Sequence, residues 1–333
     1  FKHTLLPHVP WIFLPSGKQY FRNALGPVGG INSLLGAHDR GLLHLAYQRH
    51  LLQLGAVDRL LGRLLARLRE TGLYDRSLII VTADHGVSFR HREIDRRTVT
   101  SANVAGIAPV PLFVKRPRQR RGRISSAHAR VSDILPTIAG VLRVKVPWRT
   151  SGRSVFSRAV ARRRTVRVAG RSPLEPVVRL STGAFRARWD RAIRVHHGLF
   201  GFGRAGPGLY GIGPNPRLRG QLLAALRPLG AGRVRARLNG VRELREVRPG
   251  SYLRPSFISG RLTGTRGRHR ELAIAVNGRI EAVCRSFRLR GRRPVMFAAL
   301  VPEASLRPGR NRVQVLGVAR RGGRLRLRLL GGA

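Results

Sequence analysis

The chain has 333 residues and a formal net charge of +50, from 65 Lys and Arg against 15 Asp and Glu. This length suits two domains of ordinary size, each able to bury its own core. No apolar run reaches the ~18 to 20 residues that a membrane-spanning helix requires. The sequence starts at Phe1, inside a motif-like segment and without a signal peptide, so we expect further sequence upstream.

Arginine supplies nearly all of the positive charge, because the lysines are limited to Lys2, Lys18, Lys115 and Lys145. The arginines occur in every segment, with no localised stripe, stacking motif or groove-reading helix, so we expect no nucleic-acid partner. This bias is typical of a GC-rich genome. Anionic lipid headgroups and acidic glycans are the partners that such a charge favours.

The first 150 residues predict an α/β fold. A helix is expected from His44 to Thr71, with Gly72 as its stop. Its apolar stripe comprises Leu54, Val57, Leu61, Leu64, Leu65 and Leu68. The runs SLIIVT and VPLFVK are typical of strands buried on both faces, and residues 131–142 predict a further helix. We therefore predict residues 1–152 as an α/β domain with a mostly parallel sheet flanked by helices.

The remaining sequence predicts an all-β, sandwich-like domain at 166–333, preceded by a linker at 153–165. The charge run ARRRTV in that linker favours a solvated segment. Asn277-Gly278, between two strand-like runs, predicts a β-hairpin. Cys284, the single cysteine, excludes an intramolecular disulfide and is predicted to be a small apolar strand residue.

The stretch TADHG places an acid and an imidazole directly after the predicted strand SLIIVT. Ligands of open α/β sheets bind beyond the carboxyl ends of the strands. Asp84 and His85 offer donor types that suit a divalent metal, and Gly86 permits a tight backbone path beside them. A strand-end Asp that caps the next turn, next to an incidental His, fits the same residues equally well.

The opening residues FKHTLLPHVPWIFLPSGKQY predict an extended loop, because prolines at 7, 10 and 15 disfavour regular structure. His3 and His8 lie five residues apart in this loop. An imidazole can neutralise a sulfate or phosphate oxygen, or protonate a leaving alcohol. Loops of this kind often carry functional groups, although each His taken alone is more often structural or merely exposed.

Four motifs in order resemble the sulfatase-like branch of the alkaline phosphatase superfamily, in particular its actinobacterial membrane-associated members. They are KHTLLPHVPWIFLPSGKQY, RETGLYDRSLIIVTADHG, VPLFVK and SDILPTIAGVL, and together they span residues 1 to about 150. The Asn-Gly hairpin region resembles the β domain appended to those proteins. The resemblance implies that Asp84 and His85 are metal ligands, with calcium, manganese or zinc as the divalent ion. It implies that His3, His8 and Lys18 face a sulfated or phosphorylated substrate.

The motif that carries the nucleophile in this family is missing from the chain. No Cys-x-Pro-x-Arg or Ser-x-Pro-x-Arg stretch occurs, and Cys284 lacks the neighbouring Pro and Arg. The early acidic metal ligand is missing as well. The resemblance thus implies the later half of a catalytic domain, with the nucleophile and membrane spans upstream and the catalytic domain on the extracytoplasmic side.

Other polar residues favour structural explanations. His91 and Glu93 lie in an Arg-rich stretch that favours a solvated loop. His128 precedes a helix start that Ser132 or Asp133 would cap, and Asp133 matches a family position taken as structural. His196 and His197 fall within the region predicted as β, and no sequence feature connects them with the site.

Three hypotheses follow. The first is an N-terminally incomplete, metal-dependent hydrolase of sulfate esters. The second keeps the fold but transfers a phospho-group to a lipid or cell-wall glycan, as the resemblance of His3 and His8 to the phosphoethanolamine and phosphoglycerol transferases suggests. The third is a non-catalytic basic module that binds anionic glycans or membrane.

Overall fold

The computed structural model describes residues 4–20, 39–91, 98–170, 176–200, 207–266, 268–289 and 294–333. The chain divides into two compact units. The first, here called the sandwich unit, comprises residues 1–60, 89–94 and 196–333. The second, here called the mixed unit, comprises residues 61–88 and 95–195. The domain boundaries predicted from sequence stay a prediction.

The described helices are short apart from two. The α-helices are α1 (Arg40–Glu70), α2 (Leu73–Arg76), α3 (Val104–Ile107), α4 (Ile134–Leu142), α5 (Arg158–Ala161), α6 (Thr182–Phe200), α7 (Leu223–Leu226) and α8 (Val241–Arg245). No helix among the described residues is long and apolar enough to cross a membrane.

Two antiparallel sheets form the sandwich unit. The first has the order β11-β10-β7-β8 and the second the order β5-β6-β9. Their strands are β5 (Arg235–Leu238), β6 (Phe257–Thr263), β7 (Glu271–Val276), β8 (Arg279–Arg285), β9 (Val295–Leu300), β10 (Val313–Arg321) and β11 (Arg324–Gly332). Ile258 and Phe297 from one sheet pack with Ile274 and Val315 from the other in a shared core. The predicted all-β C-terminal region with antiparallel sheets is confirmed.

The Asn-Gly hairpin has the predicted geometry. Asn277 and Gly278 connect β7 to β8, with φ angles of 50° and 84°. A two-residue hairpin turn of this type needs positive φ at both positions, which Asn and Gly adopt at low cost. The Asn277 side chain also donates to Ser305 O and Asn311 Oδ1, which ties the turn to the segment before β10.

Helix α1 buries a different face from the predicted one. Its buried residues lie in the first half and include Leu42, Leu45, Leu52 and Ala56, whereas Leu54 and Leu64 are exposed. Leu42 and Leu45 pack with Phe287 and Ala298 of the sandwich unit. The stripe prediction failed because it began at residue 54 and missed the polar residues that α1 also buries.

The mixed unit contains two small antiparallel sheets. β1 (Ile79–Thr82) pairs with β2 (Leu112–Lys115), and β3 (Thr165–Val168) pairs with β4 (Val178–Ser181). Parallel pairing needs a crossover connection, usually a helix, that returns the chain to the starting edge. Between β1 and β2 the described residues contain only the short helix α3. The mostly parallel sheet predicted for this region is therefore not confirmed, and its two strands run antiparallel.

The region from 182 to 200 corrects a further expectation. It forms helix α6 rather than strands, so His196 and His197 lie on a helix. The residue spacing around β4 is strand-like, but the sequence TGAFRARWDRAIRVHH combines several helix-favouring residues in one run. The sequence interpretation extended the β pattern across this stretch because short strands precede and follow it.

A buried ion pair between Arg163 and Asp133 stabilises the start of α4. Asp133 is fully buried, and Arg163 donates two hydrogen bonds to its carboxylate through Nη1 and Nη2. The backbone N–H groups of Arg130 and Arg153 donate to the same carboxylate, each at 2.8 Å. Asp133 is therefore structural, as expected. Arg163 belongs to the charge run ARRRTV, so this member of the run is largely buried and paired rather than solvated.

The hydrogen bonds to Asp133 also set its protonation. Burial alone would raise the pKa of Asp133, but the hydrogen bonds from Arg163 and the two backbone N–H groups outweigh this effect, and the pKa is lowered. A carboxyl group whose pKa falls on folding stabilises the protein above its unfolded pKa, about 3.9. That contribution is lost as the pH falls through the folded pKa.

We predict that Asp133→Asn destabilises the protein by about 3 kcal/mol at neutral pH, because it leaves Arg163 without its anionic partner. The measurement is the free energy of unfolding by denaturant across pH. The difference from wild type should shrink as the pH falls below about 4, because protonation of Asp133 in the unfolded chain then favours unfolding of the wild type. Asp75→Asn, at an exposed position in α2, is the control and should change stability little. A pH-independent difference would contradict the assignment.

Candidate functional site

Asp84 and His85 form a solvent-accessible corner just after β1. Their side chains are 85% and 38% exposed, respectively. The backbone N–H of His85 donates to Asp84 Oδ1 at 2.9 Å. Asp84 thus bonds its own turn, as the capping interpretation predicts, while its second carboxylate oxygen, Oδ2, lies 3.6 Å from His85 Nε2.

The hydrogen bond of the His85 ring decides which nitrogen can bind a cation. His85 Nδ1 lies 2.7 Å from Gly86 O. A carbonyl oxygen can only accept, so Nδ1 carries the proton in the neutral ring and Nε2 keeps its lone pair. Two ligands each ~2.1 Å from one tetrahedral metal ion would be roughly 3.4 Å apart. The observed separation of Nε2 and Oδ2 therefore fits two ligands of one metal ion.

These two donors alone do not complete a metal site. Among the described residues, no group of three or more His, Cys, Asp or Glu side chains could hold a metal ion. A site built on this corner would need at least one ligand from elsewhere, since protein zinc sites have three or four protein ligands. The corner fits part of a metal site.

A backbone contact holds the corner against α3. Gly86 N donates to Ile107 O at 2.7 Å, and a Cβ at position 86 would lie 2.4 Å from Gly106 O. Only glycine fits such an approach without displacing the facing backbone. The sequence predicted that Gly86 allows a tight backbone path, and the close approach of Gly106 O gives the physical reason for a glycine at this position.

The described part of the opening loop, residues 4–20, belongs to the sandwich unit. His8 is exposed, and its Nδ1 lies 2.8 Å from Val9 O, which fixes the ring's tautomer in the same way as in His85. Lys18 is half-buried, with its backbone carbonyl bonded to Leu14 N. His3, the third predicted anion ligand, lies outside the described residues.

Two buried side chains of α1 hold this loop, and the sequence analysis missed both. Gln53 Nε2 donates to His8 O at 2.8 Å, and Gln53 Oε1 accepts from Ile12 N and Phe13 N. One turn earlier on α1, Arg49 donates to Trp11 O through Nε and Nη2. The i, i+4 spacing of a polar pair in the buried half of a helix is the signal that could have revealed them.

The Arg49 guanidinium is buried among aromatic groups instead of carboxylates. It donates to the hydroxyl of Tyr20 at 2.9 Å and lies over the Tyr20 and Phe257 rings at 5.8 and 5.6 Å. Tyr20 in turn donates to Trp11 O. Burial raises the pKa of Tyr20, so its hydroxyl remains a donor to that carbonyl. The carbonyl, the hydroxyl and the two ring faces offset part of the cost of burying this charge, and Arg49 Nη1 has no hydrogen-bond partner among the described residues.

The remaining histidines and Cys284 lie in varied surroundings. His91 is exposed, and Glu93 falls outside the described residues. His128 lies beside the Asp133 ion pair, where its carbonyl accepts from Arg163 and where burial, Arg130 and Arg163 lower its pKa. His196 packs against Tyr47 on α1. Burial raises the pKa of Cys284 to about 12, which agrees with an inert strand residue.

We predict that Gly86→Ala destabilises the mixed unit by about 1–3 kcal/mol, because the new methyl group meets Gly106 O. The measurement is the free energy of unfolding, with amide exchange of residues 84–88 as a local readout. Gly106→Ala is the matched control, since a Cβ there would make only ordinary contacts of 3.4 Å or more. If both variants were equally stable, the backbone contact would not constrain the corner.

We predict that Gln53→Leu releases the His8 loop, since three hydrogen bonds disappear and two backbone N–H groups lose their acceptor. Each unsatisfied group costs about 1–3 kcal/mol when buried. Hydrogen exchange at Ile12 and Phe13 should become faster. Gln314→Leu removes the same amide from β10, where its side chain has no described hydrogen bond, and should leave this exchange unchanged. Unchanged exchange in Gln53→Leu would exclude the proposed role.

Comparison with known proteins shows which family the first part of the chain resembles. The family model named Sulfatase matches residues 3–144. Arylsulfatase K of Xenopus laevis is 30% identical over 100 residues, and the multifunctional alkaline phosphatase superfamily protein PehA of Trinickia caryophylli is 35% identical over 102 residues. The 2,3-bisphosphoglycerate-independent phosphoglycerate mutase of Antithamnion sp. is 27% identical over 101 residues.

These matches are partial on both sides. Each alignment covers 30% of this chain and 18% or 19% of the relative. The chain thus matches less than a fifth of the length of these curated relatives. No solved structure matches it significantly. The family model and the names of the first two relatives agree with the four ordered motifs, and residues 3–144 fit the sulfatase family of the alkaline phosphatase-like superfamily.

Proposed function

We propose that this chain carries part of a sulfatase-like hydrolase, which cleaves a sulfate ester with water to give an alcohol and sulfate. The single observation that carries the proposal is the Asp84–His85 corner within the Sulfatase match at residues 3–144. The donor atoms Oδ2 and Nε2 lie 3.6 Å apart, and the His85 tautomer with a proton on Nδ1 leaves Nε2 able to bind a metal.

Each of the two residues has a separate part in this function. Asp84 and His85 would hold a divalent cation, with calcium, manganese and zinc as candidates; such an ion polarises a sulfate oxygen and neutralises developing negative charge. The Gly86 O hydrogen bond keeps the His85 ring in the binding tautomer. Asp84 remains exposed, so its free carboxylate oxygen stays accessible to a metal ion or a further ligand.

The opening loop would supply the anion-binding groups. His8 is exposed and has a ring orientation fixed by Val9 O, and Gln53 fastens its backbone carbonyl. His3 and Lys18 are proposed to face the same sulfate group, as the family resemblance implies. A protonated imidazole or ammonium group neutralises sulfate charge.

The proposal includes an incomplete catalytic machinery in this chain. The missing nucleophile motif supports this, as does the small share of each relative that the chain covers. We propose that the nucleophile and further metal ligands are encoded upstream. Membrane association through upstream spans and an extracytoplasmic location stay predictions.

A phospho-transfer reaction is the second candidate. The observation that favours it is the pair of relatives named for alkaline phosphatase-type and phosphoglycerate mutase proteins. The same corner and the same imidazoles would serve a phosphate ester, because both substrates present tetrahedral anions. An aryl sulfate and a phospholipid donor, assayed side by side, distinguish the two reactions.

We predict that Asp84→Asn and His85→Gln each lower aryl sulfate hydrolysis at least about 100-fold in the product of the complete reading frame, since metal stabilisation of the transition state is worth several kcal/mol. The measurement is kcat/KM with metal in excess. Asp75→Asn, an exposed carboxylate in the same unit, should retain wild-type activity. Full activity of both corner variants, or turnover of only the phospholipid donor, would refute the sulfatase proposal.

A further inference from the structure

The strongest local concentration of charge lies between β2 and α4. Residues 116–123, with the sequence RPRQRRGR, are here called the basic loop. It contains five arginines, all exposed: Arg116, Arg118, Arg120, Arg121 and Arg123. The arginines of the chain are therefore clustered at this loop, contrary to the expectation that they form no localised stripe.

Hydrogen bonds with the Gln119 side chain and with the backbone carbonyl of Asp75 define the fold of the basic loop. The Gln119 side chain accepts from Arg116 N at 3.0 Å and donates to Arg121 O at 2.9 Å. Arg118 N donates to Asp75 O, and Arg118 adopts a φ of 56°. None of these bonds uses a guanidinium group. The loop is thus held by its backbone and by one amide side chain, and the five cations are left for other contacts.

The charges of the basic loop are not neutralised within the part of the chain that the structure describes. No described carboxylate forms an ion pair with any of the five arginines. Five like charges within eight residues repel one another, and nearby anions relieve that repulsion. A surface with several anionic groups is the complementary partner.

Exposed apolar groups accompany these charges. Ile124 follows the basic loop directly and is fully exposed, at 100%. The Phe156 ring is 52% exposed and lies 5.0 Å from the Arg116 guanidinium. Basic residues next to exposed apolar side chains are typical of surfaces that lie at a membrane interface.

We propose that the basic loop, with Ile124 and Phe156, is a docking surface for an anionic lipid bilayer. The arginines would contact phosphate-bearing headgroups, and the two apolar side chains would enter the interface below them. A soluble polyanion would have no contact for a fully exposed isoleucine, whereas the interface of a bilayer would bury it. This docking requires no catalytic step, so it is independent of the sulfatase proposal.

The test is co-sedimentation of the full chain with vesicles of equimolar phosphatidylcholine and phosphatidylglycerol, at physiological salt. The loop variant Arg118→Gln/Arg120→Gln/Arg121→Gln should bind on the order of 100-fold more weakly, because each basic residue near an anionic surface contributes about a factor of five. Ile124→Ser should also weaken binding, and this loss should persist when salt is raised, since it is not electrostatic.

The control separates local docking from general attraction by a highly basic protein. Arg235→Gln/Arg237→Gln/Arg261→Gln removes the same charge from exposed positions of β5 and β6, and should weaken binding less than about 5-fold. Equal losses in the two triple variants would overturn the proposal. So would wild-type binding to a sulfated polysaccharide or to nucleic acid that depends on the loop while vesicle binding does not. Absence of vesicle binding by the wild type would overturn it as well.

Discussion

The approach of Gly86 to Gly106 is the constraint on which the candidate site depends. A strand that ends in Asp-His could leave both side chains mobile in solvent. Here Gly86 N donates a hydrogen bond to Ile107 O, and Gly106 O lies so close that no Cβ fits at position 86. These two contacts fix the backbone directly after the corner. The carbonyl of Gly86 then fixes the His85 ring, and that ring places Nε2 beside Asp84. One backbone contact thereby fixes the position of His85, the proposed metal ligand, and the carbonyl of Gly86 fixes its tautomer.

The sandwich unit contains the proline-rich opening loop, which cannot form the regular backbone hydrogen bonds of a helix or strand. Gln53 and Arg49 supply the missing partners from α1, and they bind carbonyl and N–H groups of residues 8–13. A buried guanidinium that bonds carbonyl groups is tolerated because Tyr20 and Phe257 flank it. The His8 imidazole is therefore exposed, while hydrogen bonds from α1 hold the backbone that carries it.

The sequence predicted local features better than it predicted the direction in which strands pair. The Asn277-Gly278 hairpin, the strands β7 to β11 and helix α4 follow from turn chemistry and short periodic runs, which depend on neighbouring residues. The direction of β2 relative to β1 depends on the path of residues 83–111, and no local pattern encodes it. The buried face of α1 was missed because Arg49 and Gln53 are polar, and polarity alone predicts exposure. Their partners lie about 40 positions earlier in the chain.

In the candidate site, too, the sequence predicted local features but not the geometry between side chains. Asp84, His85 and Gly86 could be named from their place after a strand, and the family resemblance assigned them a role. The 3.6 Å separation of Oδ2 and Nε2 and the protonated Nδ1 required coordinates. The most direct test of the metal corner is anomalous diffraction from manganese-soaked crystals of the product of the complete reading frame. We predict an anomalous peak within coordination distance of Asp84 Oδ2 and His85 Nε2, whereas a manganese ion bound elsewhere with this corner empty would contradict the account.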